Sequence, residues 1–266
     1  MSETGLPAFL FEIASDERLG ILHALSGSPL RHSELARKLS LTGSEATRHL
    51  NRLMETGLIT RNPGGSYALT PLAEALRTGL PFWEFLLSHR SYLESHRVTG
   101  LPLPFVERLG ELSLGRFIEG TYPVVAIQEQ ELRRAERQIW VVTEQRFEQA
   151  VPILRERASR GADVRVVRSR SLLEQERREG RDIERNFPLR TLREVNVFLA
   201  VLDDQAGLCL PTPDGKIDMA SMFLVTDPTG YHWAQELFLS LWGKAEDLPV
   251  PGSTLLRGGR RIHGPP

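Results

Sequence analysis

Cysteine occurs once in the 266 residues, at Cys209. A single thiol excludes an internal disulfide, a thiolate zinc site and an iron–sulfur cluster. Lysine is nearly as scarce. Only Lys38, Lys216 and Lys244 are present among 33 basic residues, a bias that reads as genome composition, since arginine serves solvation as well as anion binding. Long apolar runs are missing too. The longest, from Val195 to Leu202, has the length of a strand and falls far short of the ~20 residues that span a bilayer. The amino terminus shows no basic segment followed by an apolar stretch, so no secretory signal is expected. A cytoplasmic protein without membrane partners follows as the expectation. Nor is there an excess of one charge. Against 34 acidic residues the net charge is −1, so any contact with nucleic acid must come from a local basic patch.

Catalytic signatures are equally absent. The chain holds no Gly-x-Gly-x-x-Gly, no Gly-x-x-x-x-Gly-Lys, no His-Glu-x-x-His and no Gly-x-Ser-x-Gly. Its histidines, at 23, 32, 49, 89, 96, 232 and 263, form no ligand spacing beyond His89 and His96, which lack a carboxylate near both. No enzyme activity, metal or cofactor is expected.

What is present is patterned. Hydrophobic residues make up 41% and charged residues 25% of a chain long enough for two domains. Ile13, Leu19, Ile21, Leu22 and Leu25 fall at helical spacing, with Asp16 able to start the second half of that segment. Leu35 and Leu39 mark a second helix, and Ala46, Leu50 and Leu53 a third, which Thr56-Gly57 stops. Two short strands, 58–61 and 66–70, flank the turn Asn62-Pro63-Gly64-Gly65, and Pro71 opens another helix. From Leu72 to Leu93 the pattern is helical, interrupted at Gly79-Leu80-Pro81. After a proline-flanked segment at 100–104, strands alternate with helices. The strands are 138–142, 163–167, 195–203, 207–210 and 222–225; the helices are 147–158, 170–180 and 228–245. That alternation argues for an α/β domain with a partly parallel sheet. The expected divisions are a helix-turn-helix unit at 1–78, a helical linker at 79–112, an α/β domain at 113–246 and a disordered tail at 247–266.

A helix–turn–helix with a hairpin behind it suits double-stranded DNA. If the third helix buries Ala46, Leu50 and Leu53, its outer face offers Ser44, Glu45, Thr47, Arg48, Asn51 and Arg52. Arginine can grip guanine and asparagine adenine in the major groove, while the hairpin brings Arg61 to the neighbouring backbone. Between Arg31 and Arg61 there are six basic and three acidic residues, whereas residues 1–95 carry nine and ten, so positive charge concentrates on the reading unit. Glu45 fits least well: beside phosphate it would repel, so it either accepts from cytosine or faces solvent.

The stretches Ser33-Glu34-Leu35-Ala36-Arg37-Lys38-Leu39, Arg48-His49-Leu50-Asn51-Arg52-Leu53 and Thr56-Gly57-Leu58-Ile59 resemble the winged helix of ArsR-like and related archaeal transcriptional regulators. Residues 95–102, 108–112 and 227–238 are similar to regulators of the methanogenesis regulatory protein type, with one departure at Arg97, where an acidic residue is expected. This resemblance, over nearly residues 5–245, implies an α+β winged helix followed by an α/β sensor domain that looks like the phospholipase D-like fold. It therefore implies a DNA-binding regulator with a small-molecule effector. That fold's chemistry needs His-x-Lys, and no lysine here lies two residues after a histidine. The alternative is a winged-helix protein-interaction scaffold with a catalytically degenerate domain.

In an open α/β sheet, ligands sit at the carboxyl ends of strands. Those ends are Thr143-Glu144, Arg168-Ser169 and Asp203-Asp204, with Arg168 suited to an anion and Asp203 to hydroxyls or amines. Reading a useful operator takes two winged helices, so a homodimer is expected. Leu76, Leu80, Phe82, Trp83, Phe85, Leu86, Leu87 and Leu93 supply a candidate interface.

Overall fold

The computed structural model describes residues 5–181, 183 and 186–248. Of the expected tail, residues 249–266 lie outside them. The chain divides into two compact units between Glu84 and Phe85.

In the first unit, the opening helical segment breaks into α1 (Leu6–Ile13) and α2 (Asp16–Ala24). Ser15 sits in extended backbone between them. Its hydroxyl accepts from Arg18 N, and Asp16 and Glu17 occupy the first turn, where the helix dipole favours negative charge. β1 (Leu30–Arg31), α3 (His32–Lys38), α4 (Gly43–Glu55), β2 (Ile59–Arg61) and β3 (Ser66–Leu69) follow. The strands form an antiparallel sheet in the order β1-β3-β2. Gly57, at φ 72°, ends α4, and Gly65, at φ 81°, completes the hairpin turn; both angles favour glycine. Leu22, Leu35, Leu50, Leu53 and Leu58 are buried in one cluster, as the helical spacing requires.

One expectation fails here. α5 (Pro71–Ser88) runs unbroken through Gly79-Leu80-Pro81. An interior proline removes a single helical hydrogen bond, and the remaining turns of this 18-residue helix continue past it. α5 crosses the division between the two units, which falls within the expected linker at 79–112.

The second unit continues with α6 (Arg90–Leu93), α7 (Leu103–Val106), a 3-10 turn (Leu109–Leu112), β4 (Arg116–Glu119), α8 (Thr121–Arg134), β5 (Gln138–Thr143), α9 (Ala150–Ser159), β6 (Asp163–Ser169) and α10 (Arg170–Arg178). It closes with β7 (Leu189–Leu192), β8 (Phe198–Val201), β9 (Ala206–Cys209), β10 (Ser221–Val225), α11 (Pro228–Lys244) and β11 (Glu246–Asp247). The strand order is β11-β7-β6-β5-β8-β9-β10-β4. β5, β6 and β7 are parallel neighbours and the other pairings are antiparallel, so the sheet is partly parallel. α11 covers one face: Trp140 stacks on Phe238 at 5.0 Å, and Trp233 is fully buried, its indole N–H donating to Phe105 O at 3.2 Å. α8 and α9 stand over the other.

Several boundaries move for local reasons. α9 starts at Ala150 instead of Phe147, because Pro152 is tolerated only in a first turn. The strand expected over 195–203 shortens to Phe198–Val201. β4, α8, β7 and β11 were not foreseen. α8 contains Pro123 and adjacent valines and has no clean apolar stripe. Asp247, assigned to the tail, pairs in β11 with Arg190, its carboxylate accepting at 2.9 Å.

Candidate functional site

α4 is fixed at its start by a reciprocal cap. Thr42 Oγ1 accepts from Glu45 N at 3.3 Å, while Glu45 Oε2 accepts from Thr42 N at 2.9 Å and from its hydroxyl at 2.7 Å. The Thr42 backbone N–H and then its hydroxyl hold the Glu45 carboxyl below its usual range. Glu45, half-exposed, is thereby engaged by its own helix start, a capping role that the expectation for it did not include. The Thr-x-x-Glu pattern was present in the sequence and is the signal that would have identified it.

Ala46, His49, Leu50 and Leu53 bury the inner face of α4, and Ser44, Thr47, Arg48, Asn51 and Arg52 are exposed. They are not equivalent. Thr47 donates to Gly43 O at 2.8 Å and meets His32 Nε2 at 3.0 Å. Ser44 Oγ lies 3.2 Å from Thr42 Oγ1. Arg52 donates to Glu12 of α1 at 2.5 Å and lies 3.9 Å from Glu55. Glu12 is forty residues away in the chain, so nothing local in the sequence reveals that pair. Arg48 lies 3.5 Å from His49 Nε2 and has no ion pair among the described residues, and Asn51 projects one helical turn further along the same face. On the hairpin, the exposed Arg61 lies over the Tyr67 ring at 5.8 Å.

In the second unit, parallel register sets Thr143 of β5 opposite Arg168 of β6. Both side chains line a cavity of about 100 Å³ beneath α8 and α9. Glu144 and Ser169 do not line it. Ser169 caps α10, accepting from Leu172 N at 3.1 Å, and burial followed by the nearby Glu194 charge raises the Glu144 carboxyl. Asp203 is separated from the cluster altogether. β8 runs antiparallel to β5, with Trp140 opposite Val201, so Asp203 lies at the other end of the sheet. There it accepts from the backbone N–H groups of Glu136, Arg137 and Gln138 at 2.7–2.9 Å. Burial acts to raise its carboxyl, and these three bonds outweigh that and lower it. Arg168, expected to meet an anionic ligand, donates to both oxygens of Glu176 at 3.0 Å, and Arg146 donates to the same carboxylate at 3.1 Å. Thr143 is bonded both ways to the Gln145 backbone.

The cavity has a plain cause. Register aligns Val166, Val141, Ala200, Gly207 and Leu224 in one row across β6, β5, β8, β9 and β10. The row has small residues at its centre, so the sheet face is hollow there. In the neighbouring row lie Arg168, Thr143, Phe198, Cys209 and Met222, and Gln128 of α8 reaches over Cys209 and Met222 at 3.9 and 3.6 Å. Burial pushes the Cys209 thiol up, leaving a neutral side chain.

Phe223, between cavity-lining Met222 and Leu224, takes part in a ring cluster with Phe85, His89, Tyr92 and Phe117, at 4.9–5.3 Å from each. Tyr92 stacks on His96 at 3.7 Å, and burial raises its phenol to about 12. His96 Nε2 lies 3.0 Å from Asp218 Oδ2, which also accepts from Ser221 Oγ at 2.6 Å. His89 and His96 are thus structural members of this clasp. No group of three or more His, Cys, Asp or Glu side chains among the described residues is placed to hold a metal ion. No helix among them is long and apolar enough to cross a membrane.

Comparison with known proteins places these two regions. Residues 127–244 match the middle domain of the methanogenesis regulatory protein FilR1. Residues 8–80 match the HVO_A0261 N-terminal domain. The fold is similar to that of TrmBL2, an archaeal chromatin protein (14% identity over 92% of this chain and 100% of that one, TM-score 0.40). It is also similar to NucT from Helicobacter pylori (11% identity, 50% of this chain and 98% of that one, TM-score 0.41). A third likeness is to an IclR transcriptional regulator from Alicyclobacillus acidocaldarius (13% identity, 89% and 96%, TM-score 0.26). No curated protein matches the sequence.

Proposed function

We propose that the protein is a cytoplasmic, DNA-binding transcriptional regulator that acts as a homodimer, without catalysis of its own. Its first unit serves as an ArsR-like winged helix and its second as a small-molecule sensor of the phospholipase D-like type. The observation that carries the reading is the exposed face of α4. Arg48 and Asn51 share it, Arg48 is in no ion pair among the described residues, and the cap at Thr42 and Glu45 fixes the helix behind them. The FilR1 match supports a regulatory role for the second unit.

The homodimer is supported by α5. Trp83 and Leu87 are 60% and 73% exposed and lie four residues apart, with the half-buried Leu80 three residues before Trp83 on the same face. Leu76, expected in the same interface, packs against the core of the first unit. Such a period suits a helix seam. Phe85, expected in the same interface, is only 1% exposed and belongs to the ring cluster instead.

Footprinting of bound DNA in the host cell, repeated with Arg48→Ala and Asn51→Ala, tests the reading. Loss of about 1–3 kcal/mol at occupied sites with little change on random DNA is expected for residues that reach base edges. Wild-type occupancy by both variants would refute the role given to α4.

A further inference from the structure

We infer that the cavity beneath α8 and α9 binds an uncharged, mainly apolar molecule about the size of phenol, with one hydrogen-bonding group directed at Gln128. This rests on the sensor reading and names the class of its effector.

The lining residues narrow the guest by elimination. An anion has no obvious host, because Glu176 is a carboxylate directly behind the Arg168 guanidinium and already takes bonds from Arg168 and Arg146. Thr143 is bonded both ways to the Gln145 backbone, and Gln205 donates to Glu131. Gln128 differs: unlike the exposed Gln145 and Gln149 it is half-buried, and among the described residues its amide meets the sulfurs of Cys209 and Met222, which are weak acceptors. A carboxamide over an apolar hollow offers one donor and one acceptor to a hydroxyl, carbonyl or amide. Glu129 and Glu131 also reach the lining, the first paired with Arg133 and the second with Arg134 and Gln205. The exposed Gln145 and Gln149 stand at its solvent side. The other lining residues are aliphatic and aromatic, so most of the guest must be apolar. Size follows from volume. An apolar protein cavity of about 150 Å³ accepts benzene. The space here is about 100 Å³, two thirds of that, so one ring is the upper limit and it enters only as the flexible Met222 side chain in the wall gives way.

The test uses the full chain and three probes, phenol, benzene and benzoate, with binding followed by ligand-observed NMR and competition. Phenol should bind, and benzoate should bind at least about tenfold more weakly, since it would bring an unpaired charge into the hollow. Gln128→Leu should weaken phenol about fivefold to tenfold and leave benzene unchanged, the loss of one hydrogen bond. Ala200→Leu should abolish both by filling the centre of the row. Ala200→Val, smaller and suited to a strand, should weaken both and serves if the leucine variant does not fold. Phenol binding that survives both Ala200 variants, equal affinity for benzoate, or no phenol binding at millimolar concentration would each overturn the proposal. A duplex-binding titration with and without phenol separates it from the sensor reading. Phenol that binds in the cavity without changing DNA affinity refutes sensing and leaves the site. Intact DNA binding with no phenol bound refutes the site alone.

Discussion

Salt dependence distinguishes which arginines around α4 meet DNA, and the Glu12–Arg52 pair makes the answer numerical. Arg31, Arg48, Arg52 and Arg61 are the exposed arginines of β1, α4 and the hairpin. Arg52 already donates to Glu12 at 2.5 Å, with Glu12 only 16% exposed, so its charge is matched within the protein. Three arginines per chain then remain for phosphate. In a pair of chains that is about six phosphates, and log K should fall with log[salt] at a slope of about −5. Were Arg52 to contribute, the slope would be about −7. The measurement is fluorescence anisotropy of the full chain on a labelled random duplex over a series of KCl concentrations. Arg52→Ala should leave the slope unchanged, and Glu12→Gln, which frees the guanidinium, should steepen it towards −7. Because Arg52 is half-exposed, the pair contributes roughly 0–1 kcal/mol to stability, so both variants should remain folded. A slope that flattens by about two in Arg52→Ala would refute the argument, since it would mean that Arg52 leaves Glu12 for phosphate.

The cap on α4 predicts that Thr42→Ala costs about 1 kcal/mol in chemical denaturation, with no change in which bases are preferred at bound sites. Trp83→Glu combined with Leu87→Glu places charges on the exposed stripe of α5, and sedimentation should show a folded monomer; a persisting dimer would place the interface elsewhere. Asp218 predicts an acid limb. Burial acts to raise its carboxyl, but the bonds from Ser221, Ala220 N and His96 outweigh that and hold it below the ordinary carboxylate value. A depressed folded value means that the stabilisation is complete above the unfolded value of about 3.9 and is lost as pH falls through the folded one. Asp218→Asn should remove that limb from the pH profile of urea midpoints, and an unchanged profile below pH ~4 would refute the assignment.

The sequence made the first unit legible because its signals are local. Helical spacing at Leu35, Leu50 and Leu53, the stop at Gly57 and the turn at 62–65 each act within a few residues, and each is found where expected. The capping role of Glu45 was missed although its signal was local as well, because charge was weighed before capping. Arg52 could not be read at all, since its partner comes from a different helix. The same division holds in the second unit. Thr143 and Arg168 were placed together correctly because consecutive strands joined by a helix run parallel, so their carboxyl ends coincide. Asp203 was placed with them by the same rule, and the rule fails for β8, which enters antiparallel. The pairing of Arg168 with Glu176 was also hidden, though Glu176 lies eight residues on, because a polar helix face gives no sign of which carboxylate turns inward.

Strand β10 carries the one arrangement that no reading of separate motifs could supply. Its run Ser221-Met222-Phe223-Leu224 is buried at every position, so periodicity alone cannot tell one face from the other. The neighbours decide it. Met222 and Leu224 face the hollow left by Ala200 and Gly207, and a Cβ added at Gly207 would stand 2.8 Å from Met222 Sδ. Phe223 and Ser221 face the other way, into the rings of Phe85, His89 and Tyr92 and the Asp218 carboxylate. Phe85 and Ser88 belong to α5, and His89 follows directly. The cavity and the last turn of α5 therefore share one strand as a wall, with alternate side chains of four consecutive residues committed to each. Close packing makes such a strand sensitive to volume on either side: a change of even one methylene is felt by its neighbours. The glycine at 207 and the alanine at 200 thus do more than leave space. They place that space against the strand whose opposite face holds the end of α5.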